Sequence, residues 1–208
     1  MHHLLKLLIV AVVAYLLGSL NFGVIVSKLL LGYDLRTKGS GNAGATNAYR
    51  VMGPKKAVLV MVGDILKGVI AILIGNSLCG DDGRLVAMVF TVFGHIYPLY
   101  FGFKGGKGIL TAGAMIAVFD WRVFLVMFAA FLIVVICTRY VSAGSIIAAA
   151  LFPVMTLVFY WGRFHFFAVS FFLAATVIYM HRSNIKRLIA GTESKFTFKR
   201  PNAKREDK

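Results

Sequence analysis

Residues 122–138 read R-V-F-L-V-M-F-A-A-F-L-I-V-V-I-C-T. Beyond Arg122 at its edge the run has no charge, no glycine and no proline. It is apolar all round rather than along one stripe, so as a helix it has no face to turn to water. Its length approaches the roughly 20 residues that cross the hydrocarbon of a bilayer. This stretch reads as a transmembrane helix.

Similar apolar runs lie on both sides of it, at roughly 4–30, 57–75, 84–101, 106–119, 145–160 and 163–180. The fourth in chain order is short, with about 14 residues before Asp120, and glycine-containing short helices of this kind tilt or act as half-helices beside polar sites. The 208 residues are 59% hydrophobic and 15% charged, with a mean hydropathy of +0.81. One soluble core of this size cannot hide so much apolar surface. The expectation is an all-α integral membrane protein of about seven transmembrane helices. The first run is longer than a signal-peptide core and more spans follow it, so it is read as a retained helix.

The formal charge is +15, which raises the question of nucleic acid. The basic residues sit in short gaps between apolar runs and in the tail, so no soluble basic domain exists to carry such a function. They act as a topology signal instead. One set of alternate gaps holds Arg36, Lys38, Arg50, Lys55, Lys56, Lys104, Lys107, Arg139 and the basic residues after 180, 17 in all; the other holds 4, Lys6, Arg84, Arg122 and Arg163. The positive-inside rule makes the first set cytoplasmic, with the amino terminus outside and the carboxyl terminus inside. Cys79 and Cys137 then lie near opposite faces and provide neither a disulfide framework nor a metal knuckle. Residues 1–193 are read as one membrane-embedded domain and 194–208 as a basic, disordered cytoplasmic tail.

The cytoplasmic loops carry the chemistry. Residues 39–50 read G-S-G-N-A-G-A-T-N-A-Y-R. Three glycines let the backbone turn its N–H groups toward an anion, Ser40, Asn42, Thr46 and Asn47 add neutral donors, and Arg50 adds a rigid fork suited to phosphate. Residues 103–108, F-K-G-G-K-G, lead into an apolar helix, and a glycine-rich turn at a helix N-terminus flanked by Lys104 and Lys107 suits phosphate as well. Walker A spacing is absent. Ser142 lies in a third polar turn, and His181 and Asn184 follow the last span at a spacing that shares a helix face. Asp64 and Lys67 inside the second run are read as a buried structural ion pair, because charges in lipid must pair. Taken together, phosphate-suited loops converge at one membrane face above an apolar bundle, which fits a lipid-like or acyl substrate whose phosphate stays at the surface.

These same runs, with G-H-I-Y-P at 94–98, H-R-S-N-I at 181–185, G-T-E at 191–193 and L-G-S at 17–19, occur in an order and at spacings that closely resemble the bacterial acylphosphate-dependent glycerol-3-phosphate acyltransferases, the PlsY family. The resemblance covers about residues 15–193. It implies acyl transfer from acyl phosphate to the 1-hydroxyl of glycerol 3-phosphate, giving lysophosphatidic acid and inorganic phosphate, the first step of phospholipid synthesis, in the bacterial inner membrane with the active site facing the cytoplasm. It further implies seven spans, no metal or other cofactor, and no direct acyl-CoA or acyl-carrier-protein donor. By the family's pattern Ser40, Arg50, Lys104, His181 and Asn184 are catalytic, Gly105, Gly106 and Lys107 join Lys104 in the glycerol-3-phosphate loop, Ser142 is a lesser member, and Glu193 is structural. Asn42 and Asn47 are added on chemical grounds as donors to a phosphate or carbonyl oxygen.

The local residues leave the general base open between His181 and a phosphate oxygen of the substrate, with preference for the latter because no carboxylate stands behind His181 in its local sequence. Among rivals, a His-x4-Asp acyltransferase is disfavoured, since Tyr100, Ser170 and Lys186 follow five residues after His95, His165 and His181. A phosphate-ester transporter predicts flux rather than product, and no inverted repeat supports it. The topology has a direct check. In a background lacking Cys79 and Cys137, cysteines placed at Gly80 and Ser194 are expected to react with an impermeant reagent from opposite sides, and labelling from one side would break the odd number of spans.

Overall fold

The computed structural model describes residues 2–197. Among them there are nine α-helices, two single-turn 3₁₀ segments and no strand. In chain order the helices are α1 (His3–Ser19), α2 (Phe22–Leu31), α3 (Ala45–Met52), α4 (Pro54–Ile96), α5 (Ile109–Phe119), α6 (Trp121–Thr138), α7 (Val141–Phe159), α8 (Phe164–Met180) and α9 (Arg182–Ile189). By length and hydropathy four stretches qualify as spans, at 3–31, 54–101, 121–138 and 141–159, with α8 and α9 together forming a fifth, bent by 58°. The protein is an all-helical integral membrane protein.

Two long helices are interrupted, each for an identifiable reason. The first apolar run, read as one helix, breaks at Leu20–Asn21, where the Asn21 side chain accepts the N–H of Val24 and starts α2 afresh as an N-cap. The break frees the carbonyls of Gly18 and Leu20 from the helix ladder. Within α4, Cys79 and Gly80 leave helical geometry, with Gly80 at φ +57, where glycine alone is free of a side-chain penalty. Across this break the backbones of Gly75 and Gly83 touch so closely that a Cβ on either would collide with the other's carbonyl. Residues eight apart on a straight helix would be about 12 Å apart, so α4 is a hairpin of two antiparallel limbs. Polar Asp81, Asp82 and Arg84 mark its tip, where Arg84 pairs with Asp81.

The hairpin is the centre of the fold. Gly18 of α1 and Gly94 of the second limb let those two helices approach to backbone contact, against Thr91 and Tyr15 respectively. Gly63 of the first limb receives the ring of Phe22 from α2, and Gly68 receives Thr111 of α5. Small residues at helix crossings let backbones approach where water offers no hydrophobic drive. On the other side α5 to α8 pack as successive neighbours around buried Met115, Ile116, Val123, Phe152 and Phe166. The outward-facing Leu, Ile, Val and Phe side chains of α1, α4 and α6 are exposed, as lipid contact requires.

The start of the basic tail is packed against the helices: Phe196 donates its N–H to Arg139 O, and its ring lies 5.2 Å from that of Tyr49 in a tilted contact. Residues 198–208 of that tail lie outside the described residues. The hairpin itself is testable, because glycine to alanine in an ordinary helix stabilises by about 1 kcal/mol. Gly75→Ala and Gly83→Ala are instead expected to destabilise by about 1–3 kcal/mol through backbone overlap, read as a lowered Tm in detergent. A raised Tm in both would contradict the closed hairpin.

Candidate functional site

At the end of the bundle opposite the Gly80 turn, the loops around residues 33–44 and 102–108 meet the starts of α7 and α9. The first loop is built on Asn47. Its side chain is 2% exposed; its Nδ2 donates to Lys38 O at 3.0 Å and Asn42 O at 2.8 Å, and its Oδ1 accepts the N–H of Ser40 at 2.8 Å. Asn47 thus serves the loop's own backbone rather than presenting a donor to a ligand, because both ends of its amide are already bonded internally. Asn42 accepts the N–H of Gly44 at 2.9 Å, closing a turn that leads into α3. This places Ser40 and Arg50 at one cavity. Among the described residues Arg50 has no carboxylate partner and makes only a long 3.4 Å contact to Ser194 O.

The second loop is laid over the C-terminus of α4. The N–H groups of Gly105 and Gly106 donate to Ile96 O and His95 O at 3.0 and 3.1 Å, so these two donors are already engaged and do not face a phosphate. Lys104 is exposed and outside the cavity, its carbonyl accepting from Arg36 at 2.6 Å. Of the two lysines of the turn it is Lys107 that lines the cavity. There its ammonium donates to Asn184 Oδ1. Burial, acting first, lowers the Lys107 pKa from 10.5 to about 8, with Arg187 and Arg50 nearby adding to the shift and Glu193 opposing it.

Glu193 organises the third wall. Its Oε1 accepts from Ser142 Oγ and from Asn184 Nδ2, each at 2.7 Å, and its Oε2 accepts from Arg187 Nε at 2.7 Å. Burial pushes this carboxyl up, but the three hydrogen bonds and the Arg187 charge outweigh it and hold the group below the usual glutamate range. Asn184, oriented by Glu193, in turn orients Lys107. His181 sits in the break just past α8; its Nδ1 is 2.8 Å from Val177 O. That contact puts the proton on Nδ1 and leaves Nε2 as an acceptor.

These residues enclose a polar cavity of about 200 Å³ lined by Ser40, Asn42, Arg50, Lys107, Ser142, His181, Asn184, Arg187 and Glu193 together with Asp64 and His95. Asp64 is neutralised by Lys67 at 2.8 Å and Glu193 by Arg187, which leaves Arg50 and Lys107 as cationic surplus. Ile109 and Leu110 border both this cavity and an apolar groove of about 470 Å³ that runs between α5, α6, α7 and α8. Such a pair of compartments can take an anionic headgroup at one end and a hydrocarbon chain at the other. Arg36, a topology charge in the sequence, has a further place in the structure. Its guanidinium holds Asp34 and reaches the carbonyls of Phe101 and Lys104, both at 2.6 Å, joining the two loops. Asp34 immediately before the short L-R-T turn was the one local signal of that clamp.

Residues 8–191 match the family model described as glycerol-3-phosphate acyltransferase. A glycerol-3-phosphate acyltransferase of Thermoanaerobacter sp. (strain X514) is 44% identical over 89% of this chain and 93% of its own. The enzyme of that name from Carboxydothermus hydrogenoformans is 42% identical over 91% and 96%. Among solved structures, the integral membrane glycerol 3-phosphate acyltransferase PlsY (YgiH) in its glycerol 3-phosphate form superposes with TM-score 0.86 at 40% identity, covering 92% of this chain and 96% of that one. Its lysophosphatidic acid form gives 0.83 at 38% identity, covering 92% and 95%.

Glu193→Ala would leave three donors without their acceptor. The expected cost is about 3 kcal/mol, measured as a drop in Tm. The native pKa of Glu193 lies below its unfolded value of 4.5, so this stabilisation is fully present above about pH 4.5 and is lost as pH falls through the native pKa. The Tm difference between wild type and Glu193→Ala should therefore be constant from pH 6 to 8 and shrink only below the ordinary glutamate range. A difference that narrows already near pH 6.5 would point to another group.

Proposed function

Because this chain belongs to the glycerol-3-phosphate acyltransferase family, we propose that its acyl donor is an acyl phosphate and its acceptor the 1-hydroxyl of glycerol 3-phosphate. The products are then lysophosphatidic acid and inorganic phosphate. The observation that carries this reading is the surplus of two cations, Arg50 and Lys107, in a polar cavity that shares Ile109 and Leu110 with an apolar groove. Two cationic groups match two phosphates, and the groove matches one acyl chain. Neither a thioester carried by coenzyme A nor one carried by a protein is needed as direct donor.

An acyl phosphate is a mixed anhydride, so phosphate leaves readily. The protein has to bring two mutually repelling anions together and hold the oxyanion that forms at the acyl carbon. Arg50 and Lys107 counter the repulsion, and Ser40 and Asn42 at the cavity edge are the side-chain donors suited to the oxyanion, a role worth about 10²–10³ in rate per donor. Holding both substrates in register contributes several kcal/mol more. In the transfer step the 1-hydroxyl oxygen bonds to the acyl carbon, the bond from that carbon to the phosphate oxygen breaks, and the hydroxyl proton leaves. His181 Nδ1 is turned to a backbone carbonyl rather than to a carboxylate that would stabilise an imidazolium, whereas a phosphate with a second pKa near 6 is matched to neutral pH. The proton is therefore assigned to the substrate phosphate, with His181 Nε2 aligning the hydroxyl as a hydrogen-bond acceptor.

The same reading takes the protein as a multi-pass component of the bacterial inner membrane. Seven crossings are counted when both limbs of α4 and the short α5 are included, and the site faces the cytoplasm because the basic gaps of the sequence lie at its end.

Purified protein in lipid mesophase, given palmitoyl phosphate and glycerol 3-phosphate, should release phosphate and form lysophosphatidic acid in equal amounts. Palmitoyl-CoA should give no product, and Arg50→Ala should abolish the reaction. Product from palmitoyl-CoA alone would overturn the donor. Lys107 must be charged to bind phosphate, and its folded pKa is about 8. KM for glycerol 3-phosphate should accordingly stay level from pH 6.5 to 7.5 and climb above pH 8, a rise absent in Lys107→Arg.

A further inference from the structure

His95 is buried, borders the polar cavity, and has no part in the transfer just described. It lies at the end of the second limb of α4, and its Nδ1 is 2.9 Å from Lys67 Nζ. An ammonium can only donate, so Nδ1 is an acceptor and the ring carries its proton on Nε2. Lys67 also donates to Gly18 O and Leu20 O at 3.0 and 2.8 Å and pairs with Asp64 at 2.8 Å. The imidazole is therefore anchored to a rigid centre on one edge.

Its other edge supports the glycine-rich loop. A Cβ on Gly106 would run into Nε2, and one on Gly105 would run into the His95 carbonyl. The N–H of Gly106 donates to that same carbonyl at 3.1 Å. Gly106 has no unusual φ that would by itself call for glycine, so closeness to the ring is what excludes a side chain there. The next residue is Lys107, whose ammonium stands in the cavity. The height of the loop over the ring sets where that ammonium stands.

We infer that His95 is a positioning residue for substrate phosphate: anchored by Lys67, its ring is the strut under Gly106 that holds Lys107 in the cavity. It rests on the proposed glycerol-3-phosphate site and adds a residue through which that site is held. His95 touches no reacting atom in this role. Its effect passes through Lys107, so the two are coupled and should not act independently.

The test is glycerol 3-phosphate binding by calorimetry in detergent, with Tm and steady-state kinetics on the same samples. His95→Asn keeps an oxygen where Nδ1 accepts from Lys67 but removes the ring atoms under Gly106. It is expected to keep its Tm within a few degrees, to weaken glycerol 3-phosphate at least tenfold in Kd and KM, and to change kcat less than threefold. Lys107→Ala weakens binding too, and adding His95→Asn to it should bring less than a further twofold loss. Wild-type affinity in His95→Asn, or full multiplication of the two losses, would overturn the role of the strut. If His95→Asn does not fold, Gly106→Ala loads the same contact from the loop side and must weaken binding tenfold for the inference to stand. Wild-type protein that fails to bind glycerol 3-phosphate would instead remove the site reading itself, an outcome distinct from a wild type that binds and a variant that binds equally well.

Discussion

A single ammonium group constrains this protein. Lys67 is 2% exposed, in the middle of a membrane bundle, where an unpaired charge is not tolerated. Its three protons go to the two carbonyls released where α1 ends and α2 begins and to His95, while its charge is balanced by Asp64. These partners come from the helix break at the amino-terminal end, from both limbs of the α4 hairpin and, through His95, from the support of the glycine-rich loop. Each is needed by the others. The broken first helix leaves carbonyls that lipid cannot hydrate, the carboxylate requires a cation, and the cation requires all of them. A group this closely shared fixes the hairpin closure and the height of the loop above it.

The functional end is arranged on that foundation by a second, weaker set of ties. Arg36 joins the two glycine-rich loops, and Glu193 joins α7, α9 and the segment after α9. Asn184 then passes the order of Glu193 to Lys107. Acidic groups at the cavity are already matched by Lys67 and Arg187, so the uncompensated positive charge there is that of Arg50 and Lys107. Burial works against this at Lys107, whose pKa it lowers to about 8, close to the point of losing its proton. The apolar groove shares Ile109 and Leu110 with the polar cavity, so hydrocarbon and polar surfaces meet at those two residues.

Much of this was legible in the sequence because it is set by composition and short spacing. Apolar runs such as 122–138 became helices within a few residues of their expected bounds, and the Asp64–Lys67 pairing followed from the cost of charge in lipid. Ser40, Asn42, Arg50, Lys107, Ser142, His181, Asn184 and Glu193 do line one cavity. What escaped reading depends on contacts distant in the chain. In K-G-G-K the two lysines are equivalent on paper, and only the path of the turn over α4 sends Lys104 outward and Lys107 inward. Asn47 has the chemistry of a ligand donor, yet the fold of its own loop takes up both ends of its amide. Arg36 looks like a topology charge until residues 101 and 104 come beside it, and His95 gains its place from Lys67, 28 residues earlier. The hairpin at Gly80 and the break at Asn21 do use local breakers, a glycine at positive φ and an Asn N-cap, but the chain carries other glycines and asparagines and only the packing of the limbs selects these two.

The dependence of the site on this buried centre can be separated from its contribution to stability. Lys67→Met alone strands Asp64 and should lower Tm sharply, since breaking a buried pair costs about 3–5 kcal/mol. Replacing both members, as Asp64→Leu with Lys67→Met, removes the stranded charge and should restore most of the Tm. Glycerol 3-phosphate binding measured by calorimetry on that double variant is the decisive reading. Restored Tm with binding still weakened at least tenfold is expected, because the Lys67 contacts to His95 and to the helix break are then gone. Restored Tm with wild-type affinity would contradict the central role of Lys67.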